Sequence, residues 1–202
     1  MILKNKNIIL RYIKESDIED YIKWTTVETE WRDWDSPWEW ARYRDINAYN
    51  KGFIEQQRFS VEAPPKRDWQ IYRDLEIYTV TERHIGWVKS YYMDGDRGKT
   101  AVGIVIPSVS DRGKGYGESA LGLYMTYLFN TKNAINDTYT ETLYVESWSG
   151  NTAMIRLAEK IGFVEVERKV NLHEIKGQRY DNITFSITKE HFFSKYNIPH
   201  KV

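Results

Sequence analysis

The segment Arg112-Gly113-Lys114-Gly115-Tyr116-Gly117 is the most informative part of this 202-residue sequence. It follows the apolar run Ala101–Ile106, which is typical of a strand buried on both faces, and precedes a helical apolar pattern that reaches Phe129. A helix N-terminus attracts phosphate because its N–H groups are unpaired and its dipole is positive there. The three glycines leave those amides accessible, and the arginine and lysine add positive charge. The segment therefore predicts a phosphate-binding loop.

Three alternatives compete with this interpretation. A glycine-rich turn between a strand and a helix is common and needs no ligand. The dinucleotide fingerprint requires a third glycine at a fixed step, where Glu118 and Ala120 stand instead. The P-loop signature requires Gly-Lys-Ser/Thr, but Lys114 is followed by Gly115. Nucleoside triphosphate binding and a Rossmann cofactor site therefore lose support.

Hydrophobic periodicity predicts the rest of the fold. The element order is strand, two helices, three strands, helix, strand, helix and two strands. This order predicts one domain over residues 1–202, of the α+β (mixed α/β) class. Its central sheet should be mixed but mostly antiparallel, with about seven strands and with helices on both faces. The predicted strands are Ile8–Tyr12, Leu75–Thr81, Ile85–Met93, Ala101–Ile106, Thr142–Val145, Val164–Leu172 and Tyr180–Ile187.

Capping signals predict where helices begin and end. The spacing of Ser16 and Glu19 is that of a capping box. Ser36-Pro37-Trp38-Glu39 is a second such box, and the apolar residues from Ile46 to Phe53 are expected to continue that helix. Gly162 is the expected C-cap of a late helix.

Composition excludes several classes of protein. Lys plus Arg and Asp plus Glu number 29 each, so a general nucleic-acid or anionic-membrane binder is not expected. The absence of cysteine excludes disulfides and thiolate metal sites, and the four scattered histidines do not suggest a zinc site, so no metal is expected. No apolar stretch approaches the length of a membrane span. We expect a soluble cytoplasmic protein.

Two motifs together resemble a known family. Arg112-x-x-Gly115-x-Gly117 is similar to the acetyl-CoA loop of the GNAT N-acyltransferase superfamily. The segment Asn151–Phe163 is similar to the late helix of that superfamily, which usually reads Asn-x-x-Ser/Ala to Glu-Lys-Leu-Gly-Phe. The resemblance extends from about Leu75 to Ile187, and the branch it most resembles is the ribosomal-protein alanine acetyltransferase type. It implies a GNAT-like fold, acetyl-CoA as the acetyl donor and an amine as the acceptor.

The resemblance also implies a set of cofactor-binding residues. The end of the strand before the loop would bind the pantetheine arm, and the loop would bind the diphosphate. Asn151 would reach the cofactor, although a plain helix N-cap is an equally ordinary role for it. The implied residues are Ile104, Val105, Ile106, Arg112, Gly113, Lys114, Gly115, Tyr116, Gly117, Glu118, Asn151 and Arg156.

The implied chemistry is direct transfer to a neutral amine, so a base must take the amine's proton. Many members of the superfamily carry a tyrosine on the late helix that protonates the departing thiolate, and here that position is Ala158. Ser147 is a candidate proton donor and Glu146 a candidate base. A turn that caps the next helix is the structural alternative for both residues.

Five of the eight tryptophans fall between Trp24 and Trp40. The resemblance places this region at the acceptor site, where aromatic rings and carboxylates would enclose a cationic amine. The candidate residues are Trp31, Asp33, Trp34 and Trp38. The alternative is that these rings anchor a pair of helices or form a dimer face, which would make the protein a homodimer.

Three functions are compatible with these features. The first is an N-acetyltransferase that moves an acetyl group from acetyl-CoA to a primary amine of a small molecule or protein N-terminus. The second is a non-catalytic module that senses an acyl-CoA or a cationic ligand, an idea that Ala158 supports. The third is a partner-binding domain that uses the tryptophans. The sequence leaves the identity of the acceptor open.

Overall fold

The computed structural model describes residues 2–40, 42–43, 45–63, 74–132 and 138–196. Within these ranges the chain forms eight strands and six α-helices, joined by short 3₁₀ turns. The strands are β1 (Ile2–Lys4), β2 (Ile8–Arg11), β3 (Asp74–Thr79), β4 (His84–Tyr92), β5 (Thr100–Val105), β6 (Thr142–Trp148), β7 (Val164–Ile175) and β8 (Gln178–Thr188). The helices are α1 (Ile18–Thr26), α2 (Pro37–Trp40), α3 (Ile46–Glu62), α4 (Tyr116–Asn130), α5 (Thr152–Ile161) and α6 (Lys189–Tyr196).

The strands form one mixed sheet in the order β1-β2-β3-β4-β5-β6-β8-β7. Within the described sheet β5 and β6 are parallel, and the other neighbouring pairs are antiparallel. The predicted α+β class and mixed sheet are confirmed. The sheet has one strand more than expected, because Ile2–Lys4 pairs with β2 at the edge. The segment Ile2–Lys4 has only three residues, which is too few to show the alternating pattern of a strand.

Each face of the sheet has its own hydrophobic core, because successive strand residues point to opposite faces. Val88 belongs to the larger core, with Tyr124 and Phe129 of α4 and residues of α6. Its neighbour Trp87 belongs to the second core, with Trp24 of α1 and Trp31. The prediction of helices on both faces is therefore confirmed.

The predicted capping box of Ser16 and Glu19 is wrong, whereas the predicted start of a helix at Pro37 is confirmed. At α1, the carboxylate of Asp17 accepts a hydrogen bond from the Lys14 N–H at 2.8 Å, and the helix begins after Asp17 rather than at a cap formed by Ser16 and Glu19. The Asp17 carboxylate is held at this position because it also accepts two hydrogen bonds from the Arg11 guanidinium.

The helix predicted to continue from Pro37 through Phe53 is two helices. Ser36 adopts a left-handed φ of 53°, and α2 ends at Trp40 after four residues. A separate helix, α3, starts at Ile46, where the Asp45 carboxylate accepts hydrogen bonds from the N–H groups of Asn47 and Ala48. At the end of α5, by contrast, Gly162 has a φ of 112° and is confirmed as the C-cap.

The parallel strands β5 and β6 diverge, and this creates the site described below. They pair at Thr100 with Leu143 and at Ala101 with Tyr144. Beyond these positions β5 continues to Val105 and β6 to Trp148, each paired with its other neighbour, β4 or β8. A wedge-shaped gap therefore opens between the carboxyl ends of two central strands.

Candidate active site

A cleft of about 870 Å³ occupies the gap between β5 and β6. One wall is the loop at residues 111–115 with the start of α4, and the opposite wall is the tryptophan segment with parts of β6, β7 and β8. Among the described residues, the lining includes most of the residues predicted to bind cofactor: Ile104, Val105, Ile106, Arg112, Gly113, Gly115, Gly117, Glu118 and Asn151.

The backbone of the loop is arranged to accept an anion. Gly115 is the N-cap of α4, with φ 80° and ψ 0°, and Gly113 has φ 73°. A Cβ added at either glycine would meet no atom within 4 Å, so the space beside them is open. The Ser119 N–H donates to the Gly115 carbonyl at 3.1 Å. The amides of residues 116–118 thus precede the hydrogen-bond ladder of the helix, where donors are free for a ligand.

The two cations of the loop differ in their surroundings. The Arg112 guanidinium donates to the carbonyls of Ile106 and Pro107 at 3.0 and 2.8 Å, and to the Glu30 carboxylate at 2.9 Å. Arg112 therefore fastens the loop to the end of β5. Lys114 is half exposed, and its amine lies 3.9 Å from the Asp111 carboxylate. Lys114 is the loop cation with more freedom to meet a phosphate.

An ion pair between the half-exposed Arg83 and the buried Asp111, below the loop, was not predicted from the sequence. Asp111 is 3% exposed and accepts two hydrogen bonds of 2.6 Å from the Arg83 guanidinium. These bonds raise the pKa of Arg83. Because a bidentate pair fixes both position and orientation, Arg83 holds the loop against the β3–β4 connection.

Asn151 joins the late helix to the tryptophan segment. Its Oδ1 accepts from the Met154 N–H at 3.0 Å, so the N-cap role considered for it is confirmed. Its Nδ2 donates to the Trp34 carbonyl at 2.9 Å, and Trp148 Nε1 donates to the same oxygen at 3.0 Å. Contact of Asn151 with the cofactor stays a prediction.

Two other residues of α5 occupy different positions relative to the cleft. Arg156 is exposed and does not belong to the described lining, whereas Lys160 lines the cleft and pairs with the Glu118 carboxylate at 2.6 Å. Lys160, rather than Arg156, is the cation that α5 presents to the cleft.

Both candidate catalytic residues border the cleft, although as neighbours on β6 their side chains leave the strand on opposite faces. Glu146 lines the cleft, and its Oε2 accepts a hydrogen bond from the Tyr91 hydroxyl at 3.1 Å. Burial, together with the negative charge of Glu146, raises the pKa of Tyr91. Ser147 is 7% exposed, and its Oγ is buried without a hydrogen-bond partner in the described parts of the chain. Ala158 is fully buried in the core beside α4.

The tryptophan segment divides into a packed part and a cleft-lining part. Trp31 is 4% exposed, donates from Nε1 to the Trp24 carbonyl at 2.8 Å and packs edge-on against Trp87. Trp34 and Trp38 line the cleft. The structural role considered for tryptophan thus applies to Trp31, although this residue also borders the cleft.

The carboxylates of this segment are not all at the cleft. Asp33 is exposed and lies outside the described lining, and Asp35 and Glu39 line the cleft instead. Asp35 and Glu39 were not among the candidates from the sequence, which gave Asp33 as the carboxylate of the acceptor site.

Several cleft residues come from distant parts of the sequence. The ring of His173 on β7 stacks on Trp38, with centroids 3.4 Å apart and planes 9° apart. Its Nε2 lies 3.1 Å from Asn182 Oδ1, and Lys89 of β4 lines the floor. A charged residue within a mainly apolar predicted strand was the sequence signal that could have identified Lys89 as a cleft residue. For His173, only the tertiary structure brings the ring to Trp38.

The described ranges contain neither a cluster of metal-ligating side chains nor a membrane-spanning helix. Within these ranges no three acidic, histidine or cysteine side chains are grouped as a metal site would require. The described helices include none with the length and apolarity needed to cross a membrane.

Comparison with known proteins agrees with this geometry. No match was found among curated proteins. Solved structures with a similar fold include a GNAT-family acetyltransferase from Bacillus anthracis, with 15% identity, a TM-score of 0.68 and coverage of 94% of this chain and 99% of that one. A spermidine N-acetyltransferase from Vibrio cholerae in complex with CoA and spermine has 17% identity, a TM-score of 0.67 and coverage of 94% and 99%.

A ribosomal L7/L12 alpha-N-protein acetyltransferase in complex with coenzyme A has 14% identity, a TM-score of 0.67 and coverage of 93% and 98%. The family model for the acetyltransferase (GNAT) domain matches residues 7–164, which is most of the chain. The predicted family is confirmed: this chain belongs to the GNAT acetyltransferase family, whose members are acetyl-CoA-dependent N-acetyltransferases.

Proposed function

We propose that this enzyme transfers the acetyl group of acetyl-CoA directly to a primary amine of a small molecule or a protein N-terminus, in the cleft between β5 and β6. One observation carries the proposal. A helix N-terminus with open glycines and a wall of aromatic rings with carboxylates face the same cavity. The first suits the diphosphate of coenzyme A, and the second suits an amine.

The donor would be held mainly by backbone groups. The amides from Gly113 to Gly117, with the amine of Lys114, would bind the diphosphate. Since β5 leaves β6 after Ala101, the edge of Ile104–Ile106 is not paired with β6 and would offer backbone groups to the pantetheine arm. The Val105 amide would donate to the thioester oxygen as negative charge develops.

The transfer forms one N–C bond and breaks one C–S bond. Glu146 would accept the proton of the incoming ammonium, with Tyr91 holding the carboxylate in place. The leaving thiolate would accept a hydrogen bond from Ser147, whose buried hydroxyl has no other partner among the described residues, and would take its proton from solvent. Ser147 would serve in place of the tyrosine that Ala158 replaces.

The acceptor side favours a cationic amine. Trp34 and Trp38 present ring faces, and Asp35 and Glu39 add negative charge. Solved structures with this fold include enzymes named for spermidine and for a ribosomal protein, so both kinds of amine are reasonable substrates. Homodimerisation and a cytoplasmic location stay predictions.

A non-catalytic sensor of acyl-CoA is the second candidate. It is favoured by Ala158, because a buried methyl group cannot protonate a thiolate. Turnover separates the two functions: an enzyme releases CoA thiol when an amine is added, and a sensor binds acyl-CoA without releasing it.

Two glycines with the same φ provide the test of the loop. Gly115 and Gly177 both have φ 80°, and a Cβ at either meets nothing within 4 Å. Gly177 lies in the β7–β8 turn, outside the described lining of the cleft. Gly115→Val and Gly177→Val should therefore lose similar stability, on the order of 1–2 kcal/mol each. Only Gly115→Val places a side chain where the diphosphate would lie.

The measurement is the shift in Tm on adding CoA, together with thiol release from acetyl-CoA across a panel of amines. At a hundredfold excess over Kd, CoA should stabilise the wild type and Gly177→Val by about 2.7 kcal/mol, or about 5–11 °C in Tm for a chain of this size. Gly115→Val should show no shift. An undiminished shift in Gly115→Val contradicts the loop assignment; a shift without thiol release indicates a sensor; no shift in the wild type contradicts both functions.

A further inference from the structure

We propose that the acceptor carries an anionic group as well as its amine, and that Lys89 binds that group. This inference rests on the proposed function and specifies its substrate class: a small zwitterionic amine such as an amino acid, rather than an amine with positive charges alone.

Lys89 extends across the floor of the cleft. It lies on β4 and pairs with Gly103 of β5. Its Cε and Cγ lie 3.3 and 3.5 Å from the position that a Cβ on Gly103 would occupy. The aliphatic part of Lys89 therefore lies over β5 and uses the space that the glycine leaves. This path carries the amine toward the gap where β5 and β6 diverge, and Lys89 is part of the cleft lining.

Among the residues that the structure describes, none pairs with the amine of Lys89. Lys89 is half-buried and forms no hydrogen bond or ion pair within the described part of the chain. The other cations nearby are already paired: Arg112 with Glu30, and Lys160 with Glu118. A partly desolvated ammonium is costly without an anion, so this position favours a ligand that supplies one.

The opposite charge is also present in the cleft. Asp35, Glu39 and Glu146 line it, together with the faces of Trp34 and Trp38. These groups suit the ammonium end of an acceptor. A cleft with carboxylates for one end and a lysine for the other matches a zwitterion, whereas a diamine would bring its second cation toward Lys89. The charges therefore select by repulsion as well as by attraction.

Steady-state kinetics with matched acceptors tests the inference. The panel contains amino acids of two to six carbons, each compared with the alkylamine and the diamine of the same length, with acetyl-CoA as donor. We expect the wild type to prefer the best amino acid over its alkylamine by about tenfold or more in kcat/KM.

The Lys89 variants are chosen to separate charge from structure. Lys89→Met should lose about tenfold on that amino acid and change less than about threefold on the alkylamine. Lys89→Arg should restore the preference for the amino acid, and Lys89→Glu should shift the preference to the diamine. The CoA-induced rise in Tm should be the same in all four proteins, which shows that the donor site is intact. If Lys89→Met fails to fold, Lys89→Gln takes its place.

Several outcomes would overturn the inference. One is a wild type that acetylates alkylamines or diamines as well as amino acids. Another is a Lys89→Met variant that loses all acceptors equally, which would make Lys89 a general structural or proton-transfer group. A third is a Lys89→Met variant that loses activity with succinyl-CoA as donor but shows no loss that depends on the acceptor. This result would place the anionic group on the acyl chain. A wild type that releases no thiol with any amine instead refutes the proposed function itself.

Discussion

Replacing His84 by glutamine is expected to remove a pH-dependent part of this protein's stability. His84 lies on β4 and is 3% exposed at its side chain. Its Nδ1 lies 3.0 Å from Asp20 Oδ2, and its Nε2 lies 2.9 Å from Glu76 Oε2. Burial alone lowers the pKa of His84, but the hydrogen bonds to Asp20 and Glu76 outweigh burial and raise the pKa to about 9.

The size of the effect follows from that pKa. A change from 6.5 in the unfolded chain to about 9 in the folded chain corresponds to about 3 kcal/mol, at 1.36 kcal/mol per pKa unit. Because the folded pKa is raised, the stabilisation is complete below pH 6.5 and is lost as the pH rises through about 9. Burial also raises the pKa of Glu76, so Glu76 acts in the same direction, from about pH 4.5 upward.

Other groups around His84 contribute at different pH. The pKa of Asp17 is lowered overall: burial opposes this, but hydrogen bonds from Arg11 and Tyr78 prevail. Asp17 therefore stabilises the fold at neutral pH and loses that contribution only in acid. The Tyr21 hydroxyl, which donates to Glu76, has a pKa raised by burial and stays protonated throughout.

The assay is urea unfolding of the wild type and His84→Gln at pH 6, 7.5 and 9.5. The difference in unfolding free energy should be about 3 kcal/mol larger at pH 6 than at pH 9.5. Asp20→Asn keeps the buried pair with Glu76 and should move the midpoint of this pH dependence below 9. If the wild type and His84→Gln depend on pH in parallel, the charged, doubly bonded His84 is refuted. If His84→Gln does not fold, an unmoved midpoint in Asp20→Asn refutes it.

Three further substitutions test the wall of the cleft. Asn151→Ala removes the cap of α5 and should lower the free energy of unfolding by about 1 kcal/mol, or the Tm by about 2–4 °C. Asn151→Asp keeps the oxygen that caps α5 but removes the N–H donor to the Trp34 carbonyl. It should therefore keep the wild-type Tm and raise KM for the amine. Equal losses of Tm in Asn151→Ala and Asn151→Asp would contradict this. A Cβ at Gly150 would overlap the ring of Trp148. Gly150→Ala should therefore lower the free energy of unfolding by about 1–3 kcal/mol in urea unfolding and shift the tryptophan emission. An unchanged emission spectrum would contradict this packing.

The sequence predicted best where local chemistry acts alone. The loop at Arg112–Gly117 was recognisable because glycine and a helix start have the same physical consequence in any fold. The same holds for Gly162, whose left-handed φ follows from its place after the apolar pattern of α5. The capping box of Ser16 and Glu19 failed because a longer-range partner competed: Arg11 binds Asp17, so α1 begins one residue later than this box predicts.

The sequence by itself determined the order of β2 to β8, the position of the glycine-rich loop before α4 and the family of this protein. Only the tertiary structure decided which side chains share the cleft. It brought Lys89 over Gly103, His173 onto Trp38, and Trp148 and Asn151 onto one carbonyl of Trp34. These contacts join residues from different strands and helices, and no local period or propensity encodes the distance between them. The loop depends on backbone conformation, which neighbouring residues set, whereas the charged side chains that line the cleft meet only when the sheet forms.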